Sequence, residues 1–314
     1  MTSPKEARMS PDSSSPDRWE RLAAHLGDVG GLTIRRALPT ARRRMVGAWC
    51  FLDHAGPAEL TPQTAMRVGP HPHTGLQTFS WMIEGEILHR DSLGYEQLLR
   101  PGQVNLMTAG QGISHSEESQ SARLQLAQLW IALPEAARHM APAFQHFPTL
   151  PRGHQGGFDT TLLVGEWAGQ HSPVPSHTPL LGMDLASPGA AATELALRPD
   201  FEYGLMLLEG ELAVQLDGAP VGQWRPGELL YLAPGARTLG LQAGAHSRAL
   251  LLGGPPFGEP VLLWWNFVGR HKEEMQAWSQ EWNSHENGGR FGQVRGFEGP
   301  RLPAPPVPPL RSAG

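Results

Sequence analysis

The sequence holds a single cysteine, Cys50, among its 314 residues, so no intrachain disulfide can form and an oxidising compartment is not implied. Between Trp49 and Phe51, Cys50 reads as a small buried hydrophobe. Charge is also scarce: 18% of residues are charged, the formal net charge is −5 and the pI is near 6.3. That balance gives no electrostatic reason to expect a nucleic-acid or anionic-membrane partner. The one basic cluster, Arg42, Arg43 and Arg44 close to Arg35 and Arg36, has no RNP-like aromatics or zinc-finger spacing beside it and reads as a solvated loop or strand edge. The first thirty residues lack the apolar stretch of a secretory signal, and no run approaches the ~20 apolar residues of a membrane span. The expected location is cytoplasmic.

Glycine (37) and proline (30) are abundant, a balance that suits short strands joined by tight turns, and the expected class is all-β. The length suffices for two domains. Apolar and polar positions alternate in Arg123–Ala132, in 76–83 and in 103–108, as strands require, with turns at Gly85, Gly102, Gly110 and Gly112. Near the end, Met275, Trp278 and Trp282 fall at i, i+3 and i+7, which predicts one short amphipathic helix.

An internal repeat organises the chain. Apolar-Glu-Gly-Glu-apolar occurs at Ile83–Ile87 and again at Leu208–Leu212, and Arg-Pro-Gly occurs at Arg100 and Arg225, both pairs 125 residues apart (209 − 84 and 226 − 101). The unit is too long for a solenoid repeat and right for a domain. A proline-interrupted linker is expected between Leu133 and Gly157. The predicted division is a disordered extension over 1–28, a metal-binding barrel over 29–145, a metal-free barrel over 146–270, a helix over 271–285 and a Pro-rich tail over 286–314, which from Gly299 on reads as polyproline-like and disordered.

The candidate chemistry sits in the first unit. In extended backbone, residues i and i+2 project to one side, so His71 and His73 of Gly-Pro-His-Pro-His-Thr-Gly can reach one ion. His115 and Glu117, after the glycine-rich turn at Gly110 to Gly112, repeat that spacing. Three imidazoles and a carboxylate make an N3O site of net charge +1 around a divalent ion, suited to Fe, Mn, Ni, Co or Cu rather than to Ca or Mg. Adding 125 to the four positions gives Ala196, Arg198, Gly240 and Gln242, which cannot rebuild the site. The histidines are therefore not needed to make the fold.

The strings His71-Pro-His73-Thr-Gly, Thr108-Ala-Gly-Gln-Gly-Ile-Ser-His115-Ser-Glu117 and Gln128-Leu-Trp-Ile-Ala-Leu-Pro134 resemble those of the pirin family, bicupins of the cupin superfamily. The resemblance is specific from about Ile34 to Pro134 and looser beyond. It implies two tandem cupin barrels, each a double-stranded β-helix or jelly roll, and one metal, usually Fe(II), at residues matching His71, His73, His115 and Glu117. It further implies either quercetin 2,3-dioxygenase-like activity, with an aromatic substrate and dioxygen, or a non-enzymatic, iron-dependent regulatory role with a protein partner. Gln77 departs from the glutamate of many cupins. Glu117 is the candidate catalytic residue, as general base or as charge balance alone, and Phe79, Trp81 and Trp130 are candidate walls for a planar substrate.

Overall fold

The structure, a computed structural model, describes residues 18–284 and 289–307. Among the described residues its regular structure is almost all antiparallel strand, with one helix of more than a turn, Lys272–Ser284. Each half of the chain pairs a seven-stranded sheet with a four-stranded one, and the two sheets of each pair close into a jelly-roll barrel. The duplicated turns share backbone conformation: Gly85 and Gly210 have φ of 85° and 78°, and Gly102 and Gly227 have 79° and 88°. These left-handed positions suit glycine, and at Gly85 an added Cβ would lie 2.0 Å from the Arg123 carbonyl oxygen.

Strand register refines the correspondence between the halves. Asp91 pairs with His115, which pairs with His71. In the second half Leu216 pairs with Leu239, which pairs with Leu195. Strand Ile87–Asp91 matches Leu212–Leu216 at the offset of 125, but the connection leading to His115 is one residue longer than the one leading to Leu239. The counterparts of His71, His73, His115 and Glu117 are thus Leu195, Leu197, Leu239 and Leu241, not the residues a uniform offset gives. All four leucines are buried in the core of the second barrel.

The two barrels share a hydrophobic core. Trp49, Phe79, Trp81 and Leu129 of the first pack in one cluster with Met206, Leu229, Tyr231 and Leu250 of the second. Trp49 donates its indole N–H to the Leu181 carbonyl at 3.0 Å.

Three expectations from sequence need correction. The predicted disordered extension over 1–28 is ordered where it is described: Trp19–Ala23 adds an edge strand to the second barrel, and His25–Val29 pairs with Leu32–Leu38 of the first. Edge pairing satisfies backbone groups whatever the side chains, and Arg21 and Trp19 also pack on Trp224. Residues 1–17 lie outside the described residues. The linker contains strands Ala143–Phe147 and Arg152–Gln155, because its prolines fall between them rather than within them. The Pro-rich tail, described over 289–307, is docked: Phe291 and Ala304 are buried, the Leu302 N–H donates to the Pro70 carbonyl at 2.9 Å, and Trp282 Nε1 donates to the Leu302 carbonyl at 2.7 Å. Among the described residues no helix is long and apolar enough to cross a membrane.

Candidate metal centre

Strand Arg67–His73 is extended through its prolines, which keeps His71 and His73 on one side of the sheet. Its partner Ile113–Ser119 sets His115 opposite His71, and a bulge between His115 and Glu117 brings Glu117 opposite Val68. On the other flank, strand Ile87–Asp91 sets Asp91 beside His115 and His89 beside Glu117. Two rows of inward side chains result: His71, His115 and Asp91 in one, and Val68, Glu117 and His89 in the next.

The ring centroids of His71 and His115 are 4.4 Å apart, and each lies 5.0 Å from that of His73. Donor atoms of His71, His73 and His115 lie within 4.8 Å of one another, and so do those of His89, His115 and Glu117. His115 is shared by both groups, and Glu117 falls in the second. All five residues are buried. Glu117 stands among the residues that line the cavity together with the three histidines.

Hydrogen bonds fix two of the ring tautomers. A carbonyl oxygen can only accept, so His71 Nδ1 donates to Gly69 (2.8 Å) and His73 Nδ1 donates to Asn266 (3.1 Å). Each neutral ring is then left with a bare Nε2 turned to the centre, where His73 Nε2 lies 3.1 Å from His115 Nε2. Burial lowers the pKa of His71 to about 4 and pushes His73 and His115 well below the usual imidazole range, with neighbouring imidazoles adding to the effect. At neutral pH these rings are uncharged and carry lone pairs. Burial also raises Glu117, against the opposing influence of His89 and a hydrogen bond from Ser80.

The cavity above the histidines has a volume of about 410 Å³. Phe51 and Trp130 stack in its wall at 4.0 Å and 12°, and Trp130 meets His73 edge-on at 5.2 Å. Arg36 lies over Phe51 and grips Asp53 with two hydrogen bonds of 2.8 and 2.6 Å. Trp265, Asn266 and Leu302 of the C-terminal segment close another side.

Of the aromatics singled out from sequence, only Trp130 lines this cavity. Phe79 and Trp81 face the second barrel, where Trp81 Nε1 donates to Asp184 at 3.3 Å. On strand Leu76–Glu84 it is the even positions, Thr78 and Ser80, that pair with Trp130 and Gln128. Gln77 points away from the cavity and donates to Thr108 Oγ1 at 2.9 Å. Sequence reasoning missed His89 and Asp91, although their i, i+2 spacing after Ile87 carried the same signal as His71 and His73. It also missed Asn266, whose contribution is a backbone carbonyl and leaves no residue-type signal.

A family model described as Pirin matches residues 31–131, and one described as the Pirin C-terminal cupin domain matches residues 182–288. A Pseudomonas aeruginosa protein provisionally named quercetin 2,3-dioxygenase is 51% identical over 309 residues, covering 96% of this chain and 95% of its own. A pirin-like protein of Caulobacter vibrioides is 36% identical over 268 residues, with 82% and 90% covered. Among solved structures, quercetin 2,3-dioxygenase from Acinetobacter baumannii superimposes with a TM-score of 0.87 at 44% identity, covering 93% of this chain and 96% of that one. A bacterial pirin from Escherichia coli in complex with nickel(II) shares the fold at 19% identity and a TM-score of 0.58, covering 76% of this chain and 99% of its own.

Proposed function

We propose that this chain, which belongs to the pirin family, binds one divalent transition metal in its first barrel through His71, His73, His115 and Glu117, and oxygenates a flat phenolic substrate such as a flavonol. The observation that carries the reading is the convergence of uncharged, buried imidazoles. His71 and His73 must each present a bare Nε2 to the centre, because their Nδ1–H groups are committed to carbonyls. Lone pairs so close among buried side chains repel one another, and a cation among them turns that repulsion into coordination. The donor set fits a borderline transition ion, with Fe(II) first and Mn, Ni, Co or Cu as alternatives. Such an ion, when bound, supplies a Lewis acid and a redox partner for dioxygen chemistry.

The remaining roles belong to the chain's own residues. Glu117, made more basic by burial, is placed to take the proton of the substrate hydroxyl at a carboxylate oxygen, with Ser80 and His89 beside it. The Phe51–Trp130 stack offers a flat wall for an aromatic ring. The cavity, about 410 Å³, falls in the range of roughly 300–1,000 Å³ usual for small-molecule sites. Trp265 and Leu302 form part of its wall.

Oxygen uptake over a panel of flavonols and simpler phenols, with the protein loaded in turn with each candidate metal, tests the proposal. Strictly metal-dependent uptake that disappears in His71→Ala is expected. Glu117→Gln should lower turnover by roughly 10²–10⁴, and unchanged turnover at full metal occupancy would remove the base role. No uptake by a fully loaded protein would favour a regulatory, partner-binding module instead.

A further inference from the structure

His71 and His73 have their tautomers set by backbone carbonyls, but His115 does not. Its Nδ1 faces another imidazole, His89 Nδ1, at 3.4 Å, and two ring nitrogens can share a proton in either direction. The direction is decided one residue further on. Asp91 Oδ1 accepts the backbone N–H groups of Leu93 (2.9 Å) and Tyr95 (3.1 Å), which anchors the carboxylate and leaves Oδ2 facing His89 Nε2 at 3.2 Å. A carboxylate can only accept, so His89 Nε2 carries the hydrogen and His89 Nδ1 is bare. His115 Nδ1 must then be the donor, and His115 Nε2 is left as a lone pair aimed at His73 Nε2. Packing holds the linking ring in place: His89 stacks on Phe144 at 4.4 Å and 16°. Asp91 and His89 are both buried.

We infer that Asp91 and His89 are positioning residues that hold His115 in the tautomer and orientation needed to coordinate the metal. The arrangement is a carboxylate–histidine–metal relay lengthened by one imidazole. The inference rests on the reading of His71, His73 and His115 as metal ligands, and it assigns His89 a place behind the ligands although it also stands within 4.8 Å of His115 and Glu117.

Substitutions that keep shape and change hydrogen-bond polarity test it. In Asp91→Asn the amide oxygen can still accept from Leu93 and Tyr95, which turns the NH2 group toward His89 and reverses the whole chain. Co(II) affinity of the full-length protein, measured by competition with a chromophoric chelator, should fall about 10- to 100-fold in Asp91→Asn and in His89→Leu. His89→Gln, whose amide can accept from His115 and donate to Asp91, should stay within about threefold of wild type, an outcome that a ligand role for His89 would not allow. Nitrogen NMR of the wild-type imidazoles gives a readout independent of any variant's folding, and His115 should carry its proton on Nδ1 in the metal-free protein. Affinities within about twofold of wild type for both Asp91→Asn and His89→Leu, or a proton on His115 Nε2, would overturn this inference alone. A wild-type protein that takes up no Co(II) would overturn it together with the metal site.

Discussion

At the scale of single residues, the balance between burial and charge decides what each histidine can do. His71, His73 and His115 are buried beside one another, where protonation is costly, so they reach neutral pH ready to coordinate. His54 is the contrasting case. It lies between the barrels, where Gln125 Nε2 stands 3.1 Å from its Nε2, and burial, with Arg35 and Arg248 nearby, lowers its pKa to about 3. An unfolded histidine takes up a proton near pH 6.5, so between that pH and about 3 the unfolded chain binds the extra proton. The contribution of a neutral His54 to stability is therefore complete above about pH 6.5 and is lost progressively as pH falls toward 3. Urea unfolding of the metal-free protein between pH 7 and pH 5 should show His54→Leu losing less stability than wild type, by up to about 1.4 kcal/mol per pH unit. Equal slopes would contradict the assignment. The four candidate ligands were legible in the sequence because i, i+2 spacing survives as a pattern of letters. The partner that orients His73 was not, because it is a main-chain oxygen some 190 positions away in sequence.

At the scale of elements, period-two alternation located the strands but not always the side they bury. Strand Leu76–Glu84 is buried on both faces, the even face toward the cavity and the odd face toward the second barrel, so hydrophobicity alone could not tell which aromatics meet a substrate. The C-terminal segment is the larger omission. The Val268 N–H donates to the Thr74 carbonyl at 3.0 Å, Gly75 lies so close to this strand that an added Cβ would meet the Val268 carbonyl oxygen at 2.0 Å, and Ser114 Oγ donates to the Phe291 carbonyl at 3.0 Å. Phe267, Trp278, Trp282 and Phe291 make its own core, so the helical stripe seen in the sequence packs this segment on itself, and those hydrogen bonds seat it on the strands of the candidate site. Phe267→Ala should cost about 3–5 kcal/mol of stability and loosen the Asn266 carbonyl from His73. Chemical denaturation together with Co(II) titration checks this. Lost stability with unchanged affinity would mean that the segment does not support the ligands.

At the scale of the whole molecule, duplication leaves one half with the candidate site and the other with a leucine-lined counterpart. The repeated turns were legible because glycine at a left-handed position leaves few alternatives. The single-residue difference in one connection was not, since turn lengths drift without altering the flanking pattern. Where the first barrel turns histidines and an acid inward, the second turns leucines inward into an apolar cluster. Because the barrels share one core cluster, calorimetry of the metal-free protein should show a single transition, and two separated transitions would contradict a shared core. The central claim, one metal ion held by the first barrel, is tested most directly by elemental analysis of the purified protein alongside its His115→Ala variant. The account predicts one transition-metal ion per wild-type chain and close to none in the variant. Equal metal content in the two proteins would contradict it.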